Sequence, residues 1–245
     1  NTSNTTLNIL ANKTMTILDD VGYDLDLLGN NARINVYGSI INQGQIYRSS
    51  ATTTNFMASS SYEHRQDGGL IPISTWDATS TLLITGLVNT NPTALGSVTL
   101  GNFIYNCEDQ ESNLNLGFTT TTFNGNLTIE STGTGQLVFA SSTSTLNMNG
   151  NFILNGGTVG LNGYIGTRAT TLNLKGSFSQ TGTGILYPAL GTASGTQVWN
   201  FVVGSDRTFY CESGTFDALG LMNMNVALNA ELTLLSNIDL GTPSS

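Results

Sequence analysis

TLNMNGNFIL, residues 145–154, places Leu146 and Met148 two apart, turns at Asn149-Gly150, and resumes with Phe152 and Leu154 two apart. Alternation at period two puts such side chains on one face of a short strand, and Asn-Gly is predicted to supply the positive φ of a tight turn. The same pattern recurs in TTFNGNLTI at 121–129 and TLNLKGSFSQ at 171–180, so that Gly125, Gly150 and Gly176 stand 25 and 26 residues apart. RINVYGSIIN at 33–42 is a fourth copy centred on Gly38, and SVTLGNFIY at 97–105 and MNVALNAELTL at 224–234 are fainter ones. A further short strand follows each copy after a Gly-rich turn, at Gly135 to Phe139, Gly157 to Val159 and Gly184 to Tyr187.

One such unit cannot bury its apolar face alone, whereas stacked units bury a continuous column. Hairpin meanders also produce short strands with Asn-Gly turns. The constant period and the recurrence of residue types at one phase favour a parallel β-helix, an all-β solenoid with coils of about 25 residues. The chain of 245 residues then makes roughly ten coils, a rod about 45 to 50 Å long. It is expected to be a single domain over 1–245, with an irregular excursion at about 48–80, where Gly68-Gly69 and Pro72 break the phase.

Composition agrees with this class. The chain is 39% hydrophobic and only 9% charged, with 28 Gly, and helix formers are scarce, so almost no helix is expected. A net charge of -9 with seven basic residues offers no footprint for a phosphate backbone, which excludes nucleic acid as a partner. No apolar run approaches 18 residues, so no membrane span is expected, and NTSNTTLNIL has neither the basic nor the apolar region of a signal peptide. Cys107 and Cys211 cannot make a disulfide framework or a zinc site by themselves, and bridged and free states are both open. Sequons at Asn1, Asn4, Asn12 and Asn126 are expected by chance in Asn/Thr-rich sequence.

The order Tyr62-x-His64, Gly68-Gly69-x-Ile71-Pro72, Trp76, STLLITG at 80–86, LGNFIYNC at 100–107, and then FNGNLTI with repeated LNxxGNF units resembles a recurrent module of large secreted or cell-surface proteins of Bacteroidetes, many of which end in a type IX secretion sorting domain. The resemblance spans most of the chain and is strongest from Tyr62 to Phe178. It implies export, an extracellular or surface location and a repetitive β-rich architecture, without a defined enzymatic activity. Relatives often carry cysteine where this chain has Leu82, one coil before Cys107, so a one-coil bridge is ruled out here and Cys107 is expected to be a small buried hydrophobe. The sorting domain is absent and the sequence stops at GTPSS, so a fragment of a longer protein is expected.

Five groups of residues offer candidate chemistry. His64, the sole histidine, has the ordinary pKa of a general acid or base, but Glu63 and Asp67 are not at a motif spacing. It is expected to share a strand face with Tyr62 and to mark the fold. Asp19, Asp20, Asp24 and Asp26 supply oxygen ligands for Ca2+, yet lack the spacing of known calcium loops; Asp24 and Asp26 are expected to face solvent with Leu25 and Leu27 inward. Glu108, Asp109 and Glu111 offer paired carboxylates for polysaccharide cleavage, with no lysine or arginine beside them. Thr119 to Thr122, ATTTN at 51–55 and RATTL at 168–172 suggest ice-binding ladders, but Thr-x-Thr is not kept in every coil, and β-branched residues filling outward strand positions account for them. Tyr47, Tyr164 and Tyr187 would stack on glycans if exposed.

The sequence therefore predicts a non-enzymatic, structural or adhesive β-solenoid segment of a secreted or surface bacterial protein. It has no catalytic, cofactor or metal residues beyond the Ca2+ alternative. Its partners are secretion machinery, other surface proteins or glycans. A carbohydrate-active β-helix enzyme and a glycan- or ice-binding module are the alternatives.

Overall fold

In the computed structural model, the described residues are 5–27, 32–48, 52–93, 95–193, 195–202, 206–213, 215–217 and 222–239. They form 28 strands and no helix, so no helix is long and apolar enough to cross a membrane. Every strand pair is parallel. The chain is an all-β solenoid, and each full coil has three sides.

The first side precedes the glycine corner. It holds a four-stranded sheet running from Thr6–Ile9 to Ser74–Trp76, then a six-stranded one running from Thr99–Leu100 to Met222–Val226. The second side is one unbroken ten-stranded sheet from Thr14–Ile17 to Thr233–Leu234, with one strand from each coil. On the third side lie the pair Leu25–Leu27 with Ile46–Arg48, a four-stranded sheet from Leu114–Asn115 to Ile185–Ala193, and the pair Thr215–Asp217 with Asn237–Asp239.

TLNMNGNFIL is thus two strands on two sides, Ser144–Met148 and Phe152–Leu154, folded across Asn149-Gly150. The reason for the glycine differs from the expectation. Gly38, Gly125, Gly150 and Gly176 are not among the positive-φ glycines; they lie where successive coils touch. A Cβ on Gly150 would come 2.4 Å from the Gly125 carbonyl oxygen, and one on Gly176 2.2 Å from that of Gly150. Only a residue without a side chain admits that approach.

Register fixes which side chains stack. On the second side Tyr62, Leu82, Phe103, Leu127, Phe152 and Phe178 form one inward column, all buried. Where the coil is long, rings from all three sides meet: Phe103, Phe118 and Phe123 pack edge-to-face with centroids 5.5 to 5.9 Å apart. Farther along, Phe178 lies 4.9 to 5.3 Å from Phe152, Trp199 and Phe209. Such pairs add about 0.5 to 1.5 kcal/mol each beyond their burial.

The stretch 48–80 is not an excursion as a whole. Thr53–Phe56, Ser61–His64 and Ser74–Trp76 are rungs in register with their neighbours, and Trp76 stacks on Phe56 at 4.0 Å and 8°. The coils here are short: Ser39 pairs with Ser61, Ser61 with Thr81, and Thr81 with Asn102. What leaves regular structure is the third side, reduced over two coils to the bridge Leu70 to Thr93. The shorter period also removes the expected relation of Leu82 to Cys107. Leu82 pairs with Tyr62 and Phe103, while the Cys107 thiol lies at the corner, 3.6 Å from the Ile84 carbonyl oxygen.

Candidate functional site

His64 ends the second-side strand Ser61–His64 with its side chain inward, stacked between Asn42 and Ile84 and fully buried. Its Nε2 donates to the Gly68 carbonyl oxygen at 2.6 Å. A carbonyl only accepts, so Nε2 carries the hydrogen and Nδ1 accepts. Tyr62 Oη, 3.3 Å from Nδ1, fills that acceptor and receives the Asn42 Nδ2 hydrogen at 2.9 Å. Asn42 Oδ1 accepts the Gly44 N–H at 3.3 Å. The chain Asn42, Tyr62, His64, Gly68 is closed on itself with a neutral imidazole. Desolvation lowers the His64 pKa against a smaller opposing effect of the Gly68 bond, and burial raises that of Tyr62.

The loop that His64 grips, Arg65 to Gly69, closes the short coil. Gly68 and Gly69 adopt φ of 70° and 75°, the left-handed region that favours glycine. Asp67 fastens this loop to the next coil: Oδ1 accepts the N–H groups of Val88, Asn89 and Thr90 at 2.8 to 2.9 Å, and Oδ2 accepts Thr90 Oγ1 at 3.0 Å. Partial burial alone would push the carboxyl up, but these bonds together hold it below its ordinary value. Arg65 extends outward and pairs with Glu63. The histidine, the aspartate and the two glycines form a staple with every hydrogen-bonding atom of the imidazole engaged.

The other sequence candidates do not converge. Glu108, Asp109 and Glu111 are exposed around the Cys107 to Gln110 turn, and Glu111 Oε2 accepts from Asn89 Nδ2 at 3.3 Å. Buried Gln110, between them in sequence, points the other way, accepting from Tyr105 Oη at 2.7 Å and donating to the Ser112 and Gln136 carbonyls. Asp24 is half-buried rather than solvent-facing and caps a turn, Oδ1 accepting the Asp20 N–H and Oδ2 the Gln45 N–H, while Leu25 packs on the core. The Leu27 side chain lies outside the described residues. Among the described residues no group of three His, Cys, Asp or Glu side chains could hold a metal ion.

Cys107 and Cys211 are both free and buried, and burial pushes each thiol up to about 11. At that value the thiolate is scarce near neutrality and the sulfur is inert. Tyr47 is 38% exposed with its ring 4.7 Å from that of Tyr23; Tyr187 is half-buried, and the Tyr164 side chain lies outside the described residues. The threonines divide. Thr53, Thr120 and Thr122 point outward as expected, whereas Thr54, Thr121 and Thr170 are buried.

Sequence reasoning missed the asparagines. On the outward face of the first side, Asn35 Nδ2 donates to Asn8 Oδ1 and Asn55 Nδ2 to Asn35 Oδ1, at 3.0 and 2.9 Å. Farther along, Asn173 donates to Asn147, Asn200 to Asn173 and Asn225 to Asn200, at 2.8 to 2.9 Å. At the glycine corner a second ladder runs from Asn102 Oδ1 to the Asn126 N–H, from Asn126 Oδ1 to the Asn151 N–H, and from Asn151 Oδ1 to the Ser177 N–H. The signal was present: asparagine fills the middle of the apolar-x-apolar triplet in LNI, INV, LNM, LNL and WNF.

No family model matches the chain, and neither a curated protein nor a solved structure matches it.

Proposed function

We propose that the chain is a non-enzymatic β-solenoid segment with a structural or adhesive role in a secreted or surface-anchored bacterial protein. The observation that carries this reading is the closed hydrogen-bond chain at His64. The one side chain suited to proton transfer at neutral pH is buried, neutral and engaged on both nitrogens in holding the Gly68-Gly69 loop. The exposed carboxylates of Glu108, Asp109 and Glu111 flank a buried glutamine that serves the core. What the chain offers to its surroundings is an unbroken ten-stranded second side and a first side laced by asparagine ladders, which suit multivalent contact along a stiff rod. The export part of the proposal rests on the order of Tyr62, His64, Gly68-Gly69 and the LNxxGNF units, which resembles exported modules of Bacteroidetes.

Two measurements test it. Incubation with neutral and acidic polysaccharides is expected to release no new reducing ends; release that disappears in Asp109→Ala would replace this reading with an enzymatic one. Protease shaving of intact host cells is expected to remove the segment, and recovery solely from the cytoplasm would refute the surface role.

A further inference from the structure

We infer that the outward face of the first side, from the third-coil strand to the last, is a binding surface for a solid neutral polysaccharide whose chains lie side by side. This deepens the adhesive reading above and rests on it. In the six-stranded sheet the outward positions form two columns in strict register. One contains Thr120, Thr145 and Thr171, and the other Thr122, Asn147 and Asn173. Rungs repeat at about 4.8 Å and the columns stand about 6.7 Å apart, as parallel strand geometry dictates.

Three observations select the partner. The first is charge: none of the 16 acidic residues lies in either column of this sheet, although the chain carries a net charge of -9. An array this free of charge gives an ionic partner no counter-charge, and it suits a neutral one. The second is hydrogen-bonding capacity. Among the described residues the hydroxyls of Thr120, Thr145 and Thr171 bond to no protein group, and Thr120 is exposed. Asn173 and Asn200, inside the ladder, each use one N–H and one oxygen lone pair within the column, which leaves one of each free for a partner. Donors and acceptors mixed at every rung match hydroxyl groups, which are both at once.

The third observation is extent. From the third-coil strand the side runs two strands and then six, about 38 Å by about 15 Å, or on the order of 570 Å². That is about two thirds of the ~800 Å² each partner gives to a specific interface. Each rung contributes weakly, and a partner that repeats along the rod engages many rungs together. The hydroxyl array is interrupted between its two sheets, where Ile73 is 57% exposed, which suits laid-down polymer chains better than one continuous layer of ordered water.

The experiment is co-sedimentation of the chain with microcrystalline cellulose and with chitin. The wild type is expected to pellet with at least one of them. Thr145→Glu/Thr171→Glu places two carboxylates in the array, and the bound fraction is expected to fall about tenfold or more, with the thermal midpoint kept. Thr128→Glu/Ser179→Glu places the same charges on the outward column of the second side and is expected to bind within about twofold of wild type. Wild type that stays in solution with both solids overturns the inference, as does equal loss in the two double variants. Thermal hysteresis without sedimentation would overturn it in favour of ice. A failure here leaves the structural role standing, because that role is judged by polysaccharide cleavage and surface location.

Discussion

Between Ser39 and Asn102 the chain climbs one coil in 20 to 22 residues, as Ser61 pairs with Ser39, Thr81 with Ser61 and Asn102 with Thr81; from Leu127 to Phe178 it takes 25 or 26. The second side is alike in the two regions, and the first differs in the break between Ser74–Trp76 and Thr99–Leu100. The third side differs most. The longer coils have residues enough for a third strand, and the widened core is filled by rings such as Phe139 and Phe152, 5.9 Å apart. Of the three shorter coils, Ser39 to Ser61 keeps the third-side strand Ile46–Arg48, and the two between Ser61 and Asn102 keep only the bridge Leu70 to Thr93. The Ser61 to Thr81 coil closes through a loop with two left-handed glycines, and the core beside that loop must satisfy polar backbone, which Asn42 does for the Gly44 N–H and His64 for the Gly68 carbonyl, with Tyr62 joining the two. The residues that look most like catalysis are where the coil is too short to complete its sheet.

The strongest test of this contrast is in the long coils. Phe178→Ala removes a buried ring with Phe152, Trp199 and Phe209 around it and is expected to cost about 3 to 5 kcal/mol in denaturant unfolding. A loss below about 1 kcal/mol would mean that the aromatic column is not what holds the long-coil region.

Next in size is His64→Ala, which leaves the Gly68 carbonyl and the Tyr62 hydroxyl short of a partner, at about 2 to 4 kcal/mol. The same residue gives the short coils a pH dependence of definite sign. Burial lowers the His64 pKa, so the unfolded chain takes up its proton around 6.5 and the native chain only at lower pH. The unfolded state then binds more protons in that window. Stability is full above about 6.5 and declines as pH falls below it. Hydrogen exchange between pH 7.5 and 5.0 is expected to show protection falling across 61–88 while 127–180 holds, and His64→Gln is expected to remove the difference. Equal loss of protection in both regions would break the contrast.

How much of this the sequence revealed follows from the corner residues. The long-coil phase was legible because Gly125, Gly150 and Gly176 recur wherever coils touch. The short-coil corners use other chemistry: Ser60 Oγ bonds the Met57 carbonyl and Ser80 Oγ the Asp77 carbonyl, both at 2.7 Å, in turns without glycine. With no glycine to align on, in-register rungs at 53–64 and 74–76 read as an excursion. His64 was correctly placed on a strand face with Tyr62, but its grip on Gly68 depends on a loop that no periodicity describes. The asparagine ladders escaped because asparagine was read as a turn former, whereas in a solenoid it also stacks on its own kind one coil away.

The smallest expected effect sharpens the contrast most. Asn173→Ala in a long coil removes two half-buried ladder bonds, to Asn147 and from Asn200, and Asn55→Ala in a short coil also removes two, to Asn35 and from Thr75. Each bond contributes about 0.5 kcal/mol at such exposure, so each variant is expected to lose about 1 kcal/mol, measured by denaturant midpoint. The two losses should agree within about 0.5 kcal/mol, because the first-side ladder is built the same way in both regions and the substituted positions share no partner. If Asn55→Ala costs several times more than Asn173→Ala, the short coils are strained on every side, and coil length governs the whole cross-section. Equal costs would confine its effect to the third side, which is where His64, Asp67 and the paired glycines are needed.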